Sequence, residues 1–205
     1  MSINYNQTNI SNFVLDIPDA NITRAFKLNV QSALIPGLRI PVTDAPSGTK
    51  GLGRAKLPGS TIEFDPLVCR FLVDEEMKSW LDLYLWMISI NNYATLENNG
   101  WEEGVLPKFI TLHILNNTKT DIVLSIHYYG AWISDLSEIE YNYTEDGDPA
   151  VTCVATFNYK YYVVEKDGII IDTRESIKSQ INTKSKNSES IIEDSMKIST
   201  HPSFR

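Results

Sequence analysis

The sequence predicts a mainly β protein, a sandwich or barrel with one flanking helix and one long protruding loop or hairpin. Three patterns carry this reading. Several runs alternate apolar and polar residues, a single stretch repeats apolar residues at helical spacing, and Gly, Pro and Asn punctuate the boundaries. The chain has 205 residues, 42% of them hydrophobic, which suits one substantial core with appendages.

The first 25 residues read as an N-terminal arm, in which Phe13–Ile17 is either a short strand or a tether ending at Pro18. From Phe26 the pattern alternates: Phe26, Leu28 and Val30 point one way and Lys27, Asn29 and Gln31 the other, the period of a strand with one wet face. Ile35-Pro36-Gly37 closes that run. Residues 38–60 form a Gly-, Pro-, Lys- and Arg-rich excursion, longer than the usual connection in a compact domain and basic within an acidic chain. Such a segment fits either a projecting element that orders against an acidic partner or a flexible surface loop.

Ile62 and Phe64 share one phase and Leu67, Cys69, Phe71 and Val73 the other, so Pro66 is expected to break two strand pieces at an edge bulge. A helix follows over residues 74–90. Asp74 is a suitable cap, Glu75 and Glu76 complement the positive helix end, and Met77, Trp80, Leu81, Tyr84, Met87 and Ile88 recur at helical spacing. Leu83, Leu85 and Trp86 widen the stripe, so this helix needs cover on nearly every side. An Asn- and Glu-rich loop around Trp101 leads to a hairpin, with Ile110, Leu112 and Ile114 in one strand and Ile122, Leu124, Ile126 and Tyr128 in the next. After Gly130-Ala131-Trp132 and an acidic turn at 145–149, Val151, Cys153, Ala155, Phe157, Tyr159, Tyr161 and Val163 alternate as one long central strand. Residues 169–205 are a polar C-terminal extension with a weak helix over Ser188–Met196.

Composition narrows the function. A formal net charge of −8 repels phosphate backbones, so DNA passing nearby is expected to slide without specific binding. No apolar run approaches a membrane span and no secretory leader opens the chain, so a soluble protein with no membrane contact is expected. Cys69 and Cys153 sit in apolar runs and read as inert core thiols. His113, His127 and His201 lack ligand spacing, so neither a metal nor a cofactor is expected. Glu138 and Glu140 flank Ile139 as a solvated strand face would, and no nucleophile, base and orienting group come together; the expectation is a protein that is not an enzyme and has no catalytic residues.

The order of these pieces is itself informative: the strand ending at Ile35-Pro36-Gly37, the Gly-rich excursion, Phe64-Asp65-Pro66-Leu67-Val68-Cys69-Arg70-Phe71-Leu72-Val73-Asp74-Glu75-Glu76 running into a Trp-bearing helix, the hairpin, Gly130-Ala131-Trp132, and the closing strand with Phe157 and Tyr159. It resembles the tail-tube protein family of contractile-tailed, T4-like bacteriophages, which includes baseplate tube initiators. The resemblance spans roughly residues 26–164 and implies a tail-tube β-sandwich or barrel. It also implies six-fold rings whose sheets join into an inner barrel, and stacking through the loop at 38–60. On that basis Lys50, Leu52, Arg54, Lys56 and Leu57 are candidate stacking residues. Trp80, Tyr84, Met87, Trp132, Phe157 and Tyr159 are candidate core or interface residues.

The function so implied is a structural virion protein, assembled in the host cytoplasm. Its homohexameric rings would stack into the inner tube, a conduit for DNA ejection. Tail sheath, baseplate hub or tape-measure proteins would be its neighbours. Two alternatives stand beside it. One is a single-ring component of the same fold, an initiator at the baseplate or a terminator of the tube. The other is a monomeric carbohydrate-binding sandwich using Trp101, Trp132, Tyr128 and Tyr129 as a stacking platform.

Overall fold

The computed structural model describes residues 6–19, 22–100, 107–143, 147 and 149–171. Two compact units are distinguished, Met1–Ile169 and Ile170–Arg205, and of the second only Ile170 and Ile171 are described. The expected weak helix at Ser188–Met196, Trp101 and most of the acidic turn lie outside the described residues.

The fold is mainly β. Strands β1 (Phe13–Asp16), β10 (Phe109–Leu115), β11 (Ile122–Tyr129), β14 (Tyr161–Lys166) and β15 (Ile169–Ile171) form the first sheet in the order β1-β10-β11-β14-β15. The second sheet runs β12-β13-β7-β2, from β12 (Trp132–Leu136), β13 (Thr152–Asn158), β7 (Leu67–Leu72) and β2 (Val30–Ala33). Among the described residues two α-helices accompany them, α1 (Arg24–Asn29) and α2 (Lys78–Ile90). Between β2 and β7, strands β3 (Leu38–Arg39), β4 (Val42–Ser47), β5 (Gly53–Pro58) and β6 (Glu63–Phe64) build a separate ribbon, β3 pairing with β6 and β4 with β5. A short β8 (Asn91–Asn92) and β9 (Glu97–Asn98) pair just after α2.

Alternation places the core. Ile110 and Leu112 of β10 lie opposite Tyr128 and Ile126 of β11, and all four are buried. From the second sheet Leu67, Cys69 and Phe71 of β7 and Cys153, Ala155 and Phe157 of β13 complete one contiguous cluster. Helices close it: Phe26 of α1 meets Phe71 edge-on at 5.2 Å, and Trp86 of α2 lies 5.7 Å from Phe157. Both cysteines are free and buried, and burial pushes the Cys69 thiol up to about 12.

Three expectations change and one that was open is decided. The segment from Phe26, alternating in sequence, is helical to Asn29, and the strand begins only at Val30. Its first-turn donors are satisfied from outside: Ala25 and Phe26 N–H donate to the Asp82 carboxylate of α2 (3.1 and 3.4 Å), and Thr23 N–H to Asp19 (2.8 Å). Phe26 is buried while Leu28 is exposed, so the alternation marks no common buried face. Phe13–Asp16, open between strand and tether, is a strand paired with β10. Nor is β7 an edge: it lies between β13 and β2, and the break at Pro66 separates it from the ribbon.

The fourth concerns the long alternation from Val151 to Val163, which is two strands in two sheets. The chain turns at Tyr159–Lys160, where Lys160 N–H donates to Tyr129 O (3.0 Å), and the facing switches, so that Tyr162 and Val164 pack on the core while Tyr161 is exposed. A second crossing, from β11 to β12, lies alongside it. Gly130 makes that turn with φ of +61°, and a Cβ there would sit 3.1 Å from the Lys160 side chain. The Gly-x-Trp motif is therefore a sheet-crossing corner.

Tyr128 gives a clean stability test. Its ring packs against Tyr159 (5.0 Å) and Tyr162 (5.6 Å), but its buried hydroxyl finds no hydrogen-bond partner among the described residues. Burial holds the phenol well above its ordinary pKa. Tyr128→Phe removes an unsatisfied group and keeps the ring, so thermal unfolding is expected to show unchanged stability or a gain of up to about 1–2 kcal/mol.

Candidate assembly surfaces

The α2 helix starts at Lys78, four residues later than the sequence suggests, because Asp74–Met77 form a turn in which Met77 N–H donates to Asp74 O (2.8 Å) and Met77 adopts φ of 54°. Asp74 still caps the helix across that turn. Its carboxylate accepts N–H from Lys78 (3.0 Å) and Ser79 (2.8 Å), and the Ser79 hydroxyl lies 2.6 Å from Oδ1. The Ser79 hydroxyl, together with these N–H groups, holds the Asp74 carboxyl at about 2, below its ordinary 3.8. The sign follows directly. Because the folded value is depressed, the cap stabilises fully above the unfolded value near 4, and that contribution fades as pH falls toward 2. Asp74→Ala is expected to cost about 1–2 kcal/mol at neutral pH. Chemical denaturation at pH 7 and pH 2.5 checks it: the deficit should shrink at the lower pH.

The buried side of α2 differs from the expected stripe. Ser79, Leu83 and Ile90 are buried, with Trp80, Trp86 and Met87 packed against the core. Tyr84 is half-buried and stacks on Trp80 at 5.0 Å with an interplanar angle of 9°. The opposite side presents Lys78, Leu81, Leu85 and Ser89, with Leu85 60% exposed. An apolar residue so exposed in mid-helix has no cover within the described subunit. Beyond the helix, Tyr93 extends the patch, its hydroxyl 3.2 Å from that of Tyr84. Leu96, at the tip of the β8–β9 hairpin, is 89% exposed with φ of +62°, so it combines left-handed backbone with a hydrated apolar side chain. Neither Tyr93 nor Leu96 stood out in the sequence, where they lie in a polar loop.

The expected loop at 38–60 is a two-stranded ribbon. Antiparallel register from Val42↔Pro58 to Ser47↔Gly53 continues into a tip at Gly48–Leu52, with Gly48 and Gly51 at φ of 78° and 67°. Its base is anchored to the body. Phe64 packs edge-on against Tyr159 (6.0 Å) and Tyr162 (5.5 Å), the Tyr159 hydroxyl donates to Asp65 O (2.6 Å), and Arg39 pairs with Glu63 at 2.7 Å. Beyond the base every strand residue is exposed or half-buried. Of the candidate stacking residues, Lys50 sits in the tip and Leu52 is 88% exposed just after it, while Arg54, Lys56 and Leu57 lie on β5. The ribbon thus carries a basic, apolar end on a paired scaffold.

The remaining candidates separate. Phe157 is wholly buried and Tyr159 is half-buried at the ribbon base, whereas Trp132 is exposed on β12, an edge of the second sheet. Of the platform expected for sugars, Trp101 lies outside the described residues, and the other three residues do not come together. Tyr128 faces the core while Tyr129, next along β11, faces outward and stacks on Tyr161 (5.1 Å), and Trp132 belongs to the other sheet.

On the outer face of the first sheet His127 lies between the Thr111 hydroxyl (3.0 Å) and Glu165 (2.9 Å), and His113 lies 2.9 Å from the Ser125 hydroxyl. Burial holds the His113 imidazole below its ordinary 6.5. These are cross-strand pairs of a half-covered sheet face. Among the described residues no three His, Cys, Asp or Glu side chains are grouped to hold a metal ion.

Comparison with known proteins agrees with this architecture. A family model described as phage tail tube protein matches residues 1–165. The tail tube terminator protein of Enterobacteria phage T4 is 58% identical over 167 residues, covering 82% of this chain and 94% of the relative. Among solved structures, the tube-terminating cap of the anti-feeding prophage superposes with a TM-score of 0.57 at 14% identity, over 81% of this chain and 95% of that one. The sheath/tube terminator of the extracellular contractile injection system PVC, in its extended state, gives 0.56 at 14% identity, over 80% of this chain and 99% of that one. At such identities these two likenesses concern the fold alone.

Proposed function

Since the chain belongs to the phage tail tube protein family and is a component of the virion tail, we propose that it forms the single ring that terminates the tail tube. This is the alternative reading of the sequence, preferred to the repeating tube subunit. The observation that carries it is the 58% identity to the T4 terminator across 94% of that protein. Identity at that level over nearly a whole chain favours a shared place in the tail over a shared fold alone.

The structure offers the means for a structural, non-enzymatic ring. The four-stranded second sheet ends on β12 and β2, and an unpaired strand edge is a template for pairing with another chain. Joining β2 of one copy to β12 of the next closes the second sheets of the ring into a barrel in which neither of these two strands remains an edge. Six copies per ring follow from the family resemblance. The ribbon is the arm that holds copies together, and the net charge of −8 lets DNA pass through the ring without sticking. Sheath-end and tape-measure proteins are the tail components such a ring would meet.

Negative-stain electron microscopy of the purified full chain tests this. Isolated rings of one subunit height are the expected result. Long hollow tubes growing with concentration would return the chain to the role of repeating subunit.

A further inference from the structure

We propose that the basic, apolar tip of the ribbon of one copy docks on the outer face of α2 of the neighbouring copy, making the head-to-tail contact that holds the ring. The inference rests on the ring reading above and names the surface that receives the arm.

The receiving face is apolar along its centre and acidic at its ends. Leu81, Leu85 and Tyr93 are exposed along it. Glu75 and Glu76 are exposed before its first turn, and Glu97 is exposed beyond its last, beside Tyr93 and Leu96. Among the described residues Lys78 is the one cation on the stripe, and it is paired with Glu76. The arm is the complement: Lys50 lies in the tip beside the exposed Leu52, Arg54 and Lys56 alternate onto one face of β5 and Leu57 onto the other, and Asp44, 4.0 Å from Arg54, is the one carboxylate in residues 38–60. Opposite potentials around an apolar centre are what a specific contact between chains requires.

Dimensions agree as well. The thirteen residues of α2 rise about 20 Å, and the extended strand β5, Gly53–Pro58, is on the order of 17–20 Å. From Leu38 to Ser47 the ribbon reaches up to roughly 30 Å, more than half the diameter of a compact unit of this length. It can therefore reach onto a neighbour's flank.

Stoichiometry selects a second copy as the occupant. A head-to-tail contact uses two different patches of each subunit, and a closed ring satisfies every arm and every face once. Among the described residues there is one of each, and neither is covered by the others. A terminating ring also has special need of such a contact, because it stacks on a tube at one side only and must hold itself together laterally.

Charge reversal in the full-length protein tests the assignment, with ring formation followed by light scattering across a concentration series. Glu75→Lys with Glu76→Lys, and separately Arg54→Glu with Lys56→Glu, should each raise the midpoint concentration for rings about tenfold or more. Combining all four should restore rings toward the unmodified level, which a folding defect could not do. Leu85→Asp should abolish rings while leaving the melting temperature unchanged. If the unmodified chain forms rings and both reversals form them equally well, or if the combination restores nothing, the assigned contact is wrong while the ring reading stands. A chain that stays monomeric at every concentration overturns the ring reading and this contact with it.

Discussion

A chain in which Val42–Pro58 is replaced by a short Asn-Gly turn is expected to fold normally and to form no rings. The ends of the excised segment already meet, since Gly59 N–H donates to Pro41 O at 2.7 Å. No residue of β4 or β5 belongs to the buried core. Loop-closure entropy changes by only about 0.6 kcal/mol per doubling of length, so stability should move by roughly 1 kcal/mol or less. Assembly, by contrast, loses the whole arm, including Lys50, Leu52, Arg54, Lys56 and Leu57. Circular dichroism and melting check the first half of this expectation and electron microscopy the second. Rings that form unchanged would show that the strand edges alone suffice.

The second large effect lies in the core. Phe157 has no exposed surface and packs against Phe26 (5.9 Å) and Trp86 (5.7 Å), so it joins the second sheet to both helices. Phe157→Ala should cost about 3–5 kcal/mol, through lost burial and the cavity left between three rigid elements. For a domain of this size that corresponds to a fall in melting temperature of roughly 6–20 °C. Differential scanning calorimetry reads it directly. Trp80, which is only half-buried, should cost less on the same substitution, and the order of the two effects tests which side of α2 faces the core.

Strands whose alternation coincides with a real difference between core and solvent were legible in the sequence. Ile110, Leu112, Ile126 and Tyr128 alternate and are buried, and nothing competes with that pattern. The pattern misled where tertiary contacts decide. Phe26 to Val30 alternates, but the Asp82 carboxylate, far along the chain, caps a helix there. Val151 to Val163 alternates throughout, yet the corner at Lys160 reverses which set faces the core because the residues on both sides of the strand are apolar enough for either.

The assembly surfaces were half legible. The composition of residues 38–60 marked a projecting arm. The apolar breadth of the helix marked a need for cover, but a helix apolar on most sides does not reveal which side the subunit itself buries. That the free side carries Leu81 and Leu85, with Tyr93 and Leu96 beyond it, follows only from the packing of Leu83, Trp86 and Ile90 on the sheets. The acidic rim acquires meaning only once that side is known.

Copy number in the intact virion tests the central claim most directly, measured by quantitative mass spectrometry against labelled peptides of this chain and of a tail component of known count. A terminating ring gives about six copies per virion, independent of tail length. A count many times larger, rising in proportion to tail length, would contradict the terminator assignment and make this chain a repeating subunit of the tube.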